Sequence, residues 1–311
     1  MKKIVVIGGG HGQSTILQGL RDIEDIELSA IVTVADDGGS TGRIRQHFAI
    51  PAMGDIRNVL LALTKEDSFL KQIMNYRFEG KDEVDVEGHS LGNLILTALT
   101  QMEGSFADAI NVLIKELNVK GKIYPSSLEL ITLYAEMDDG TIVKGEANIP
   151  NYNHHIDHVF YDHEVSAYKP AIKAIEEADL IIYGIGSIYT SILPNIIIKE
   201  VKDALVRSKA KKVYFANCMT QNNETFDYTL KQHLSALEKH GAPIDMVVRH
   251  SETIPLDILK RYQEENSNEV ELGDSITQEI INAPLLDFRS GLVRHDPKKI
   301  KEVTKELLKR L

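Results

Sequence analysis

Between Lys3 and Arg43 the chain twice runs an apolar, β-branched segment into a glycine-rich loop, and that repetition limits the folds open to it. Ile4 to Ile7 stop at Gly8-Gly9-Gly10, and a segment with apolar positions at Ile16, Leu17 and Leu20 follows at helical spacing. Ala30 to Val34 then lead into Asp36-Asp37-Gly38-Gly39. Strand, tight loop, helix, strand, loop is the opening of an open α/β sheet.

Glycines after a strand let backbone N–H groups approach an anion, and the helix N-terminus that follows adds partial positive charge. Gly9, Gly10 and Gly12 therefore read as a phosphate cradle, against the plainer alternative of a tight turn without a ligand. The dinucleotide fingerprint G-x-G-x-x-G is broken, because Gln13 stands where the third glycine belongs. This weakens an NAD cofactor. No lysine followed by serine or threonine completes the loop, which argues against a P-loop NTPase. Two such loops after consecutive parallel strands fall at one carboxyl edge, where open α/β folds bind ligands. Asp36 and Asp37 sit there with Ser40, Thr41 and Arg43. Adjacent carboxylates can hold a divalent metal, accept ribose hydroxyls or act as a general base; an Asx turn accounts for them equally well.

A length of 311 residues accommodates one large or two modest domains, and 43% hydrophobic residues suffice for a core. The formal charge of −11 argues against a nucleic-acid partner. Cys218 alone builds neither a disulfide framework nor a cysteine zinc cage, and it fits a reducing compartment. The chain enters its first strand without an apolar leader and has no run able to span a bilayer, so a cytoplasmic protein without a transmembrane segment is expected.

After Arg43 helices dominate. Asp55 is expected to cap DIRNVLLALT, with Arg57 and Asn58 in its first turn. A helix of about 67–76 and an exposed acidic link, Lys81 to Glu87, come next. GHSLGN then enters the apolar helix LILTALTQM with Ser90 as N-cap, and Gly92 and Asn93 are unusual in so apolar a first turn. LELITLYAEM and TIVKGEA flank Asp138-Asp139-Gly140-Thr141, a hairpin signal. One domain, 1–311, is expected, with a helical and β-hairpin insertion at approximately 44–165. His154, His155, His158 and His163 lie near Asp157 and Asp162, but strand alternation sends them to different faces, which favours a histidine surface over a metal site.

The α/β pattern resumes after Pro170. DLIIYGIG breaks at Gly184-Ile185-Gly186-Ser187, and a single helix is expected from Pro194 to Ser208. KKVYFAN ends at Asn217-Cys218-Met219-Thr220-Gln221, with Glu224 and Thr225 just beyond. Several strands thus deliver small, hydroxyl or amide residues to one edge. Cys218 reads as a passive small side chain, and Asp296 with Pro297 as the start of the last helix. Arg294 and His295, just before it, are placed to meet a phosphate or that helix's first turn.

The segments GGGHGQSTILQGL, IVTVADDGGSTGR, GDIRN, GHSLGNLIL, GSIYTSILPN, NCMTQNNET and RHDPKKI resemble, in order and over nearly the whole chain, the CofD and YvcK family. The wording ADDGGSTGR and GHSLGN is similar to the YvcK branch. The resemblance implies a Rossmann-like doubly wound, mostly parallel sheet. In the transferase branch it implies Mg²⁺-dependent transfer of a phospholactyl group from a guanosine diphosphate conjugate to a deazaflavin hydroxyl. In the YvcK branch it implies binding of a UDP-sugar, with links to gluconeogenic growth and cell-wall morphogenesis. The phosphate-binding set would be Gly9, Gly10, Gly12, Ser40, Thr41, Gly186, Ser187 and Thr190, with Asn195, Asn217, Thr220 and Gln221 on the nucleotide side. Asp36 and Asp37 would be the catalytic or metal position, and Asp55, Asn58, His89 and Asn93 would face a second ligand. No tightly bound organic cofactor is expected. The expected partner is a small nucleotide or nucleotide-sugar, with a homo-oligomer and a regulatory protein of cell-wall synthesis as further candidates. The chain departs from the family's G-P-G-S at Ile185 and from its M-T-Q-P-G-E-T at Asn222 and Asn223; asparagine tolerates the left-handed region that a glycine would take.

Overall fold

The computed structural model describes residues 1–65, 68–79 and 86–311. Most of the expected link from Lys81 to Glu87, and the expected helix start at Asp67, lie outside these residues.

The chain opens with β1 (Lys2–Gly8), α1 (Gly10–Leu20) and β2 (Ile26–Val32). Five helices follow: α2 (Gly39–Phe48), α3 (Gly54–Leu63), α4 (Phe69–Asn75), α5 (Leu91–Glu103) and α6 (Phe106–Glu116). Next come β3 (Lys122–Pro125), β4 (Tyr134–Met137), β5 (Ile142–Lys144) and β6 (Ile156–Phe160). Then α7 (Lys169–Glu176), β7 (Leu180–Gly184), α8 (Leu193–Ile196), α9 (Lys199–Arg207) and β8 (Lys211–Phe215) return to the alternating pattern. It continues through α10 (Leu230–Lys239), β9 (Met246–His250), α11 (Leu256–Glu264) and β10 (Glu279–Ala283). A short antiparallel pair, β11 (Leu286–Asp287) and β12 (Arg294–His295), precedes α12 (Pro297–Lys309).

Seven strands form the main sheet in the order β10-β9-β8-β7-β1-β2-β3, and every neighbouring pair is parallel. The central strands are buried on both faces, which explains why IVVI and LIIYG read as continuous apolar runs rather than alternating ones. Strand order reverses between β1 and β7, so the loops after these two strands diverge and leave a crevice. The doubly wound α/β fold read from the sequence is the observed one. The hairpin at Asp138 to Thr141 is also present: β5 and β6 flank β4 in a small antiparallel sheet. Within residues 44–165, β3 belongs to the main sheet, paired with β2.

Two local expectations are corrected. The helix from Pro194 to Ser208 is broken: Ile198 is extended (φ −67°, ψ 118°) between α8 and α9. Ile196, at the end of α8, and Ile198, in the extended link, are both fully buried, and β-branching lowers the cost of leaving the helix. Asp55 is not the cap of α3; Met53 occupies that position and Asp55 lies in the first turn.

The crevice walls touch through backbone. A Cβ on Gly12 would lie 2.1 Å from the Ile185 carbonyl oxygen, so α1 packs against the loop after β7 only because this residue has no side chain. In an unconstrained helix Gly→Ala gains about 0.5–1 kcal/mol. Here Gly12→Ala is expected to destabilise the protein by about 1–3 kcal/mol in denaturant unfolding; a gain in stability would show that the contact is not made.

Candidate functional site

The loop after β1 departs from ordinary backbone at Gly10 (φ +63°), and the loop after β7 does so at Gly186 (φ +141°). Both conformations favour glycine. Side-chain amides then tie the loops together. Asn195, fully buried on α8, donates to Gly8 O at 3.0 Å and Ser191 O at 2.9 Å. Asn217 donates to Gly186 O at 3.0 Å, which brings the loop after β8 to the same edge. Gln13, at the position of the missing third glycine, is fully buried and donates to Val6 O at 3.0 Å and Ile31 O at 2.8 Å. The broken fingerprint is thus a change of function for that residue: it clamps β1 to β2. A cleft of about 570 Å³ opens beside these loops, lined by Gly12, Gly186, Asn217, Thr220, Gln221 and Arg294 among others. Asn223 adopts φ +61°, as its glycine-like role requires.

Carboxylates gather on the other side of the β1 loop. Asp55 lies against Gly9 and the Gly10 backbone N–H. Asp36 accepts from Gly38 N at 2.9 Å and lies beside Gly54 and Thr41. Asp37 turns away from its neighbour, accepting from Ala147 N at 2.9 Å in the turn after β5. That turn also delivers Glu146, which the sequence reading missed. Its carboxyl is pushed up to about 8, by burial first and then by the charges of Asp36, Asp55, Glu224 and Asp37. Burial, then Asp36, pushes Asp55 up to about 7. Asp36 is raised as well, again mainly by burial. Nothing local in KGEANIP marks Glu146; only the return of the hairpin over the Asp36 loop places it here. Arg45 braces that loop, donating to Asp36 O at 2.8 Å and to Ile131 O.

Other expected site residues satisfy one another. Ser40 and His89 share a hydrogen bond of 2.9 Å, and Asn93 donates to Ser40 Oγ at 3.3 Å. Arg57 donates to Asn93 at 3.3 Å and to Asn58 at 2.8 Å. Burial, with Arg43 and Arg77 nearby, lowers the His89 pKa. Gly92 is explained by packing, because a Cβ there would lie 2.3 Å from Met74 O. Ser90 occupies the N-cap position of α5, but its hydroxyl donates to Met74 O at 3.5 Å instead of capping. Ser187 accepts from Tyr189 N and Thr190 N. Thr220 accepts from Asn268 N at 2.9 Å and donates to Phe226 O at 3.2 Å.

The histidine run bears no shared centre. His154 pairs with Asp138 at 2.9 Å, His155 with Asp227 at 3.5 Å, His158 with Asp157 at 3.1 Å and His163 with Asp162 at 2.7 Å. Among the described residues, the group of three ligating side chains close enough to hold a metal jointly is Asp138, Asp139 and His154, exposed at the hairpin. Burial pushes the Cys218 thiol up to about 12, so it is no thiolate nucleophile.

Strand order, paired glycine loops and a carboxylate-rich crevice at the reversal point define a Rossmann-like α/β protein. The chain belongs to the CofD family: a family model described as 2-phospho-L-lactate transferase CofD matches residues 4–286. It is 41% identical over 314 residues to the gluconeogenesis factor of Bacillus subtilis, covering 99% of this chain and 98% of that protein. It is 42% identical over 313 residues to the gluconeogenesis factor of Listeria monocytogenes, covering 98% and 95%. A crystal structure of a member of the UPF0052 family from Bacillus halodurans superposes with a TM-score of 0.93 at 39% identity, covering 97% of this chain and 99% of that one.

The raised carboxyls fix a sign. In the folded chain Asp55 and Glu146 keep protons up to about pH 7 and about pH 8 that the unfolded chain loses near its ordinary values of 3.8 and 4.5. The folded state therefore binds more protons across that window, and stability falls as pH rises through it. Glu146→Gln is expected to raise the melting temperature by about 2 °C or more at pH 8, with the difference shrinking toward pH 4. Thermal melts at the two pH values check this; an equal effect at both would remove the electrostatic cause.

Proposed function

We propose that the protein is a divalent-cation-dependent transferase that acts on a nucleoside diphosphate conjugate bound across the β1–β7 crevice. The supporting observation is the meeting of glycine loops with Asp36, Asp55 and Glu146 on one rim. Backbone N–H groups at Gly12 and Gly186 would face the diphosphate, and the cleft beside Asn217, Thr220, Gln221 and Arg294 would receive the nucleoside. Lining by Arg294 supplies a cation close to the negative charge.

The donor set fits Mg²⁺. Its members are hard oxygen donors, and their mutual repulsion is relieved by a cation. Mg²⁺ commonly needs one or two protein carboxylates, with water and phosphate completing its shell. Asp36 would hold it, and Asp55 and Glu146 would add negative charge on the same rim. When bound, the ion would neutralise charge on the diphosphate. An acceptor hydroxyl oxygen would form a bond to the distal phosphorus as that phosphorus releases the bridging oxygen, with a nucleoside monophosphate leaving. Asp55, ionising near neutrality, is suited to take the hydroxyl proton.

A second reading rests on the relatives named gluconeogenesis factors. There the same crevice binds a nucleotide-sugar such as a UDP-sugar without turnover, as a regulator of gluconeogenic growth and cell shape. Either reading suits a cytoplasmic protein, and no helix among the described residues is long and apolar enough to cross a membrane. An NAD-dependent oxidoreductase is disfavoured, because Gln13 fills the position where the fingerprint needs glycine.

Calorimetric titration with GDP, UDP-sugars and NADH, with and without Mg²⁺, separates these readings. The transferase requires Mg²⁺-dependent binding and, with an acceptor, release of a nucleoside monophosphate; tight UDP-sugar binding without any release favours the regulator. Gly186→Val, which crowds the crevice at φ +141°, is expected to weaken nucleotide binding at least about tenfold, or 1.4 kcal/mol. Unchanged affinity would move the phosphate site elsewhere.

A further inference from the structure

Ser187 follows the β7 glycines and looks, from its position, like a phosphate ligand. Its hydrogen-bonding capacity is already spent. A serine hydroxyl has one proton and two lone pairs. Ser187 Oγ accepts from Tyr189 N at 3.2 Å and from Thr190 N at 2.9 Å, and it donates its proton to Glu224 Oε2. Glu224 is 5% exposed and comes from the turn beyond β8, a different part of the crevice rim. The titratable neighbours that face it are Glu146 from the turn after β5 and Tyr189 on the π-helical turn Ile188–Ile192. No cation shares the pair, so this carboxyl is not retained as half of an ion pair among the described residues.

Burying a carboxyl is costly unless it is hydrogen-bonded, and the Ser187 hydroxyl supplies that bond. Here the bond fixes the rotamer of Ser187, and with it the start of the π-helical turn and the orientation of the glycine loop behind it. We propose that Glu224 is the positioning residue of the phosphate loop: it holds Ser187 so that the Gly186 backbone stays aimed into the crevice, while Ser187 itself does not touch the ligand. The inference rests on the reading that a diphosphate occupies this crevice. It assigns to Glu224 a structural link between the β7 and β8 loops that neither loop could supply alone.

Two measurements test it. The first needs no ligand: amide hydrogen exchange at Tyr189 and Thr190, whose N–H groups bond Ser187. Glu224→Met fills the volume but accepts no hydroxyl proton, and it is expected to lower protection at both amides; Glu224→Gln, whose carbonyl still accepts, restores it. The second is binding of GDP with Mg²⁺ by Glu224→Met, Ser187→Ala and the double variant. Each single change is expected to raise Kd about tenfold, and the double variant no more than either, because the two residues act as one unit. Unchanged exchange in Glu224→Met, failure of Glu224→Gln to restore protection, or additive losses in the double variant would each overturn the assignment. If the parent chain binds no nucleotide, the proposed function fails, and the exchange data still decide whether Glu224 anchors the loop.

Discussion

The contact between Gly12 and the Ile185 carbonyl is the constraint from which the site geometry descends. It lets the first turn of α1 press against the loop after β7, and no residue with a Cβ permits the same approach. Buried amides then take over what the glycines make possible. Gln13 fastens β1 to β2, Asn195 fastens α8 to the end of β1, and Asn217 fastens the β8 loop to Gly186. Each amide adds a donor to backbone carbonyls of the strands and loops it joins.

The opposite side of the crevice follows a different logic. Asp36, Asp55 and Glu146 are held close despite their shared sign, and burial raises all three. Such an arrangement does not serve the stability of the empty protein. These perturbed carboxyls in a crevice are the observation on which the proposed cation site rests. Asp37, by contrast, serves the fold: it grips Ala147 N and thereby brings the small sheet over the Asp36 loop. Adjacent residues in the sequence have separate duties because one faces the crevice and the other faces the hairpin.

Much of this was legible from the chain. The glycine loops, the apolar strands and the hairpin turn have local causes, and local causes leave local patterns. The resemblance to the CofD and YvcK family, carried by short motifs, agrees with the family match over residues 4–286. What the sequence hid depends on tertiary return. Glu146 enters the site only because β4 and β5 fold back across it, and nothing in its own neighbourhood announces that. Gly92 and Asn93 stood out as unusual in an apolar first turn, and packing is what the sequence did not show: Gly92 makes room for Met74 O, and Asn93 bonds Arg57 and Ser40. The break at Ile198 was hidden too, since a run of isoleucines gives no sign of which face must be buried twice.

On the proposed reading, a diphosphate and its cation would meet between the Gly10 loop, the Gly186 loop and the Asp36–Asp55 carboxylates. Crystals soaked with GDP and Mn²⁺, with anomalous scattering used to locate the metal, test it most directly. An anomalous peak is expected within coordination distance of Asp36, with diphosphate density against the Gly12 and Gly186 amides. Metal found instead at Asp138, Asp139 and His154, or nucleotide bound away from the β1–β7 crevice, would contradict it.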